Sequence, residues 1–481
     1  MHQAAPAAQA ADSPGAMGRW WRLALALGFV ALTALWTWQT HGHLSLTLVV
    51  AAVFGAYMAM NIGANDVANN VGPAVGARAL TLGWAIVIAA VFESMGAIIA
   101  GAEVVGTVRS GIIDPEGISD PLVFVWLMMA ALLAAALWLN LATAMGAPVS
   151  TTHSIVGAVL GAGIAAAGPD VANWPRMGQI AASWVVSPLM GGLIAAAILY
   201  LIKHRITFEP DLMQASRRTV PPLIAAMAWA FTTYLLVKGL NQVIAVSFAV
   251  ALAVGAGVAA AVWGLVRRQV DHLAPRLPNS RESVNRLFTM PLVFAAALLS
   301  FAHGSNDVAN AVGPLAAIQD TLDTGGIDTQ ATVPLWILLI GAVGLSLGLA
   351  LYGPRLIRTV GSEITEIDSV RAYCIAMASA LTVIIASQLG LPISTTHVAI
   401  GAVFGVGFLR EYLKANYDRV LDEIREHHRA QEAEQHVVEA FLRRFEQASA
   451  PEKGRMLKGL KRQAKRGSVA LSKHERKSLG R

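Results

Sequence analysis

The stretch Asn61–Arg78, NIGANDVANNVGPAVGAR, decides how the rest of this 481-residue chain is read. It follows an apolar run, Leu44–Met60, that is nearly long enough to cross a bilayer. At what should be membrane depth it places Asn65, Asp66, Asn69 and Asn70, then interrupts the chain with Gly72, Pro73 and Gly76. A carboxylate at the bilayer centre costs about 2.5–3.5 kcal/mol on insertion scales, so Asp66 reads as functional by default. The device then returns. Gly304–Pro314 reads GSNDVANAVGP and matches Asn65–Pro73 at eight of nine positions, bringing a second aspartate, Asp307.

The composition agrees with a membrane reading and excludes an ordinary soluble enzyme. Hydrophobic residues make up 55% of the chain and charged residues 14%, where soluble domains run near a quarter charged. Apolar runs of about 20 residues recur, so the expected fold is an all-α polytopic membrane protein with about 10–12 membrane segments. The single cysteine, Cys374, forms no intrachain disulfide and no cysteine metal site, and reads as a small buried hydrophobe. Of 36 Lys and Arg residues, 18 lie from Arg410 onward. After a membrane region, such a tail reads as cytoplasmic rather than as a nucleic-acid surface.

Five sections follow in order. Residues 1–43 hold a tail and an extra helix, Leu23–Trp38, with Trp20, Trp21, Trp36 and Trp38 at its ends. We read it as a retained spanning helix with aromatic anchors and its N-terminus inside, in preference to a cleaved signal peptide. Residues 44–202 form repeat 1. It contains the first motif, Leu82–Ala102 with Glu93, a loop with Arg109, and Leu122–Leu141. Gly146–Gly163, GAPVSTTHSIVGAVLGAG, and Ile180–Ile202 complete it. Residues 203–290 carry two basic loops around a hairpin of spans, Leu223–Val237 and Val243–Val266, which places both loops on the cytoplasmic side. Residues 291–409 form repeat 2, ending in Gly390–Gly407, GLPISTTHVAIGAVFGVG. Residues 410–481 form a basic tail, with Glu411–Phe445 as a polar amphipathic helix and Lys453–Arg481 as a basic soluble segment. The repeat distance is 241 residues for NDVAN and 244 for STTH, the signature of a duplicated transporter unit. By that symmetry one more helix is expected beyond Arg481, so the chain reads as truncated.

The two motif types suit opposite charges. Pro148 and Pro392 start a helix at its first turn. Ser150, Thr151 and Thr152, and in repeat 2 Ser394, Thr395 and Thr396, then set hydroxyls beside free N–H groups at a helix N-terminus. That is an anion site, and two such ends from opposite sides enclose one tetrahedral oxyanion. Asn65, Asp66 and Asn69, with Asn306, Asp307 and Asn310, supply hard oxygen ligands suited to Na⁺, together with carbonyls of discontinuous helices. An aspartate also accepts a hydrogen bond from a protonated oxyanion, so Asp66 and Asp307 favour phosphate over sulfate. The competing reading makes the Ser and Thr residues helix-to-helix glue. His153 and His397 read as structural, hydrogen-bonding across the helix break. Glu93 either pairs with Arg78 or Arg109 or belongs to the ion path as a coupling residue.

At the two NDVAN and two STTH motifs the chain resembles the inorganic phosphate transporter (PiT) family, over roughly Leu44–Leu409. The resemblance implies two inverted repeats with discontinuous and re-entrant helices, and symport of inorganic phosphate with Na⁺ or H⁺. GANDVANNVGPAVGA, FESMGA and GAEVVGTVRSGIID are similar to the sodium-coupled branch, so Na⁺ is preferred. The NDVAN positions, the STT positions and Glu93 match the family's motifs residue by residue. Sodium-coupled relatives carry a second Glu in the mirrored stretch before the second STTH, where this chain has Ala376. The expected partners are inorganic phosphate, Na⁺ and the lipid bilayer, with no cofactor and no nucleic acid; a homodimer is left open. The expected location is the cytoplasmic (inner) membrane. The alternatives are a sulfate or other oxyanion permease on the same scaffold, or a membrane phosphate sensor. An enzyme is disfavoured, since no nucleophile–base–metal set such as H-E-x-x-H occurs.

Overall fold

A computed structural model describes residues 16–41, 46–114, 117–118, 120–239, 246–327, 333–363 and 367–428, and further on 443–445, 447–448, 452, 455–456 and 459. Most of the basic segment expected over Lys453–Arg481 lies outside these residues, as does 429–442 of the amphipathic helix expected over Glu411–Phe445, whose first part is described as helix to His428.

The described chain is helical, apart from one isolated bridge between Ile113 and Ala172. The first half comprises α1 (Ala16–His41), α2 (Leu46–Gly76), α3 (Leu82–Ala100), α4 (Ala102–Ser110), α5 (Pro121–Met145), α6 (Thr151–Ala167) and α7 (Trp174–Ile202). The centre adds α8 (Leu212–Tyr234), α9 (Phe248–Leu273) and α10 (Arg281–Leu287). The second half holds α11 (Thr289–Asp307), α12 (Ala309–Thr324), α13 (Leu335–Glu363), α14 (Ser369–Gln388) and α15 (Thr395–His428). Among the described residues, ten helical stretches are long and apolar enough to cross a membrane. Helices satisfy every backbone group internally, which is what a bilayer demands. The stretch from Thr289 to Thr324 is almost wholly buried, whereas α1 and α9 present mostly exposed side chains. The NDVAN segments therefore lie at the centre, with α1 and α9 outside.

Several local expectations change. α2 runs unbroken through the first NDVAN motif, with Pro73 inside its last turn, so no discontinuity forms there. Pro is tolerated because the helix ends three residues later, at Gly76. In the second half the interruption is one residue, Val308, between α11 and α12. Pro148 and Pro392 precede the helices rather than starting them. Ser150 is the N-cap of α6, its hydroxyl accepting from His153 N at 3.1 Å, and Ser394 accepts from His397 N at 3.1 Å. The first of the two basic loops expected in residues 203–290 is instead helical over Lys203–Thr207 and again from Leu212, and α15 runs without a break past the boundary expected at residue 410.

The halves embrace. α2 packs most extensively on α13 of the other half, and α11 packs on α3. Both crossings bring backbone onto backbone. A Cβ at Gly63 would meet the Leu345 carbonyl, and one at Gly348 would meet that of Met60. In the other pair, Gly304 faces the Glu93 backbone and Gly96 faces the Phe301 carbonyl. Small residues permit such close crossings in lipid, where helices gain little from the hydrophobic effect. Gly304→Val should therefore lower the melting temperature of the purified protein, by overpacking worth about 1–3 kcal/mol. Gly178→Val, on an α7 position with nothing within 4 Å, is the control. Equal melting of the two variants would contradict the close crossing.

Candidate functional site

The α3–α11 crossing carries Glu93 to the centre of the protein. Glu93, Asp66, Asp307 and His303 are all buried. His303 sits one helical turn before Asp307, so both project from one face of α11. Its Nε2 lies 3.0 Å from Asp307 Oδ2 and 3.6 Å from Asp66 Oδ2, and its Nδ1 lies 3.3 Å from Glu93 Oε1. Asn70 Nδ2 donates to the same Glu93 oxygen at 2.7 Å. Glu93 thus pairs with neither Arg78 nor Arg109. Arg109 instead forms a buried ion pair with Asp320. The geometry favours that outcome: Gly304 draws α3 onto α11, which turns Glu93 towards His303.

The motif residues meet in mirrored pairs. Thr151 Oγ1 donates to Asp66 Oδ2 at 2.7 Å, and Thr395 Oγ1 donates to Asp307 Oδ2 at 3.0 Å. Asn65 Nδ2 donates to Thr143 Oγ1 and to the Ala147 carbonyl, at 3.0 and 3.1 Å. Asn306 Nδ2 donates to Ser387 Oγ and to the Leu391 carbonyl, at 2.9 and 3.3 Å. These asparagines fix the turns that lead into α6 and α15. Other bonds cross between halves. Asn69 Nδ2 donates to Thr396 Oγ1 at 2.8 Å, and Asn310 Nδ2 to Thr152 Oγ1 at 3.2 Å. Thr396 Oγ1 lies 3.1 Å from Asp66 Oδ1, and Thr152 Oγ1 donates to the Ile393 carbonyl at 2.9 Å. The starts of α6 and α15 therefore touch, with their threonines against both aspartates.

Two kinds of unsatisfied group remain. On the NDVAN residues and Glu93, the buried oxygens that accept no hydrogen bond are Asn70 Oδ1, Glu93 Oε2, Asn306 Oδ1, Asp307 Oδ1 and Asn310 Oδ1. Pro73 and Pro314 add to them. Lacking an N–H, each leaves the carbonyl four residues earlier, that of Asn69 and Asn310, without its helical donor. On the other side, the backbone N–H groups of Thr151 and Thr152, and of Thr395 and Thr396, donate to nothing among the described residues. They are the orphan donors of two helix N-termini. Ser150 and Ser394 serve as caps in this arrangement.

Some expectations do not survive. His153 and His397 make no side-chain hydrogen bond across the helix break. Their rings pack on each other with centroids 4.7 Å apart, and His153 meets Trp184 edge-on at 3.8 Å. The mirrored position of Glu93 is Leu345, because each faces the glycine of the opposing NDVAN helix. Ala376 lies instead on α14, in the position that mirrors α5. The duplication also hides His303, whose counterpart 241 residues earlier is Ile62. A lone histidine in an otherwise apolar run, one turn before a motif aspartate, is the signal that identifies it.

The chain matches the phosphate transporter family over residues 62–440. A protein of Helicobacter pylori named "Putative phosphate permease" is 53% identical over 470 residues, covering 95% of this chain and 87% of that one. One of Chlamydia trachomatis with the same name is 41% identical over 401 residues, covering 79% and 93%. A solved structure described as "The sodium-dependent phosphate transporter" superposes with a TM-score of 0.73 at 37% identity, covering 76% of this chain and 90% of that one. These are transporters and permeases rather than enzymes, and the ten apolar stretches make this chain a multi-pass membrane protein. It belongs to the phosphate transporter family.

Proposed function

We propose that the chain is a symporter that moves inorganic phosphate together with Na⁺ across the cytoplasmic membrane, with its N-terminus and basic tail on the cytoplasmic side. The observation that carries the coupling is the set of buried, donor-free oxygens gathered around Asp66, Asp307 and Glu93. Hydrogen-bond donors do not satisfy them, whereas a hard monovalent cation does. Na⁺ is held in this reading by Asp66 and Asp307, by the Asn306 and Asn310 side chains, and by the Asn69 and Asn310 carbonyls released by the prolines. Asn65, with both its amide atoms engaged, positions the turn before α6.

Phosphate sits where the N-termini of α6 and α15 converge, on the free N–H groups of Thr151, Thr152, Thr395 and Thr396. Their hydroxyls and those of the capping Ser150 and Ser394 complete the shell. Because the threonine hydroxyls already bond the aspartates, anion and cation share ligands, and each stabilises the other. In this arrangement the cluster is buried from solvent. Release to either side then requires the two halves to rock about the site, as inverted repeats do in other secondary transporters.

The test is phosphate uptake into proteoliposomes under an imposed Na⁺ gradient, then under an imposed proton gradient. Stimulation by Na⁺ alone is expected. Stimulation by protons alone would move the coupling to Asp66, Asp307 or Glu93 as proton carriers. Sulfate in tenfold excess should leave uptake intact, since it carries no proton for an aspartate to accept.

A further inference from the structure

A second charged cavity lies away from the aspartates, at one end of the helices. Lys203 at the end of α7, Arg281 of α10, Arg371 of α14 and Arg410 of α15 line a space of about 180 Å³. A single carboxylate, Asp368, joins them there. It is already committed. Its Oδ2 takes Arg281 Nη2 at 2.7 Å and lies 3.6 Å from Arg371 Nε, while its Oδ1 caps α14 through Arg371 N at 2.9 Å. Lys203 feels Arg371, Arg281 and Arg410 as repelling neighbours and only Asp368 as an attracting one. Four cations around one shared carboxylate leave a net positive cavity whose charges repel one another.

The cavity has an apolar extension. A mostly apolar groove of about 260 Å³ runs between α14 and α15 past Ile375, Val403 and Phe404; it shares Arg371 and Arg410 with the charged cavity, and Glu411 is the one carboxylate in its lining. Phe404 and Phe408 stack along it and stay 57% and 71% exposed. α15 packs along α7 and α14, both of which are long and apolar enough to cross a membrane, so these exposed rings face the lipid beside them. A cationic chamber opening into an apolar, lipid-facing groove through two shared arginines has the chemistry of a phospholipid site. Basic pockets between membrane helices recognise head groups in this way.

We propose that this site holds one anionic phospholipid. Its phosphodiester lies among Lys203, Arg281, Arg371 and Arg410, and an acyl chain runs along Ile375, Val403 and Phe404. A free phosphate ion would satisfy the charges but would leave the groove, and its sharing of both arginines, without a role. The lipid would tie α7 of the first half to α14 and α15 of the second. The inference rests on the membrane location of the chain and is independent of the coupling ion.

Binding is the readout. The purified full chain is titrated in detergent with dioleoyl-phosphatidylglycerol or dioleoyl-phosphatidylcholine, and bound lipid is counted by native mass spectrometry. One phosphatidylglycerol per chain is expected, held well above phosphatidylcholine. Lys203→Gln together with Arg410→Gln removes two charges and should weaken phosphatidylglycerol about 30-fold. Arg410→Lys, which keeps the charge, should bind it as the unaltered chain does. Phe404→Ser leaves every charge in place and should also weaken it, which separates a lipid from a bare anion. Equal retention of the two lipids, or unchanged binding by the double variant, would overturn the proposal. So would displacement of phosphatidylglycerol by millimolar inorganic phosphate, which would make the chamber a site for the free ion.

Discussion

Asp307→Asn is expected to abolish gradient-driven phosphate uptake, and so, separately, is Asp66→Asn. Each aspartate is buried and accepts a threonine hydroxyl from an STT segment, Asp66 from Thr151 and Asp307 from Thr395. An asparagine preserves size and one acceptor oxygen. It loses the negative charge that a cation needs, and it brings an NH₂ group that must find an acceptor. Removing one member of a buried, hydrogen-bonded charge constellation costs about 2–5 kcal/mol. At about 1.4 kcal/mol per decade this is at least about thirtyfold, enough to erase coupled uptake above leak. Asp271→Asn is the control: its carboxylate is well exposed and pairs with Arg217 at 2.7 Å. It should transport normally. Coupled uptake at the unaltered rate by either Asp66→Asn or Asp307→Asn would remove the aspartates from the mechanism. The substitutions also distinguish the coupling from the fold, because melting temperatures should stay close to that of the unaltered chain. The new asparagine still accepts the threonine hydroxyl.

The centre of this protein was legible because duplication repeats the chemistry. Two NDVAN and two STTH motifs at nearly constant spacing mark Asp66, Asp307 and the threonines, and the structure brings these together. What pairs across the halves was not legible. That Asn69 reaches Thr396, and Asn310 reaches Thr152, depends on how α2 and α11 cross α13 and α3, a tertiary fact with no local signature. The same crossings decide the partner of Glu93. Sequence spacing alone offers arginines, whereas packing of Gly304 on the Glu93 backbone delivers a histidine. Helix continuity was also misjudged. Glycine and proline look like breaks in a linear reading, yet Pro73 lies in the last turn of α2, where the missing N–H frees a carbonyl without ending the helix early. The repeat then conceals as much as it reveals. Where the halves differ, at Ile62 against His303 and at Leu345 against Glu93, a search for matching residues passes over both polar positions. The two differences meet in space, so one side of a nearly symmetric core is apolar and the other holds an acid and an imidazole.

That asymmetry leads to the second large effect. His303→Gln is expected to raise the KM for phosphate about tenfold or more and to lower the Na⁺ concentration needed for half-maximal uptake. Both ring nitrogens of His303 face carboxylates, Nδ1 towards Glu93 and Nε2 towards Asp307. Neither nitrogen makes a hydrogen bond in this arrangement, so the imidazole is a group among the carboxylates that can take up a proton. Carrying it, the ring would offset the negative charge of the acids around it. Glutamine spans a comparable length but cannot carry that proton. The site becomes more negative, which repels phosphate and attracts Na⁺. A tenfold change corresponds to about 1.4 kcal/mol, inside the range of buried charge interactions. A merely structural histidine would lower folded yield or melting temperature and leave both constants in place. His303→Ile, which copies Ile62 of the first half, sharpens the comparison. It should repeat the shift in both constants if charge is the cause, and it should differ from His303→Gln in stability alone. Unchanged phosphate KM and Na⁺ dependence in His303→Gln would assign the histidine to packing and return the asymmetry to Glu93 by itself.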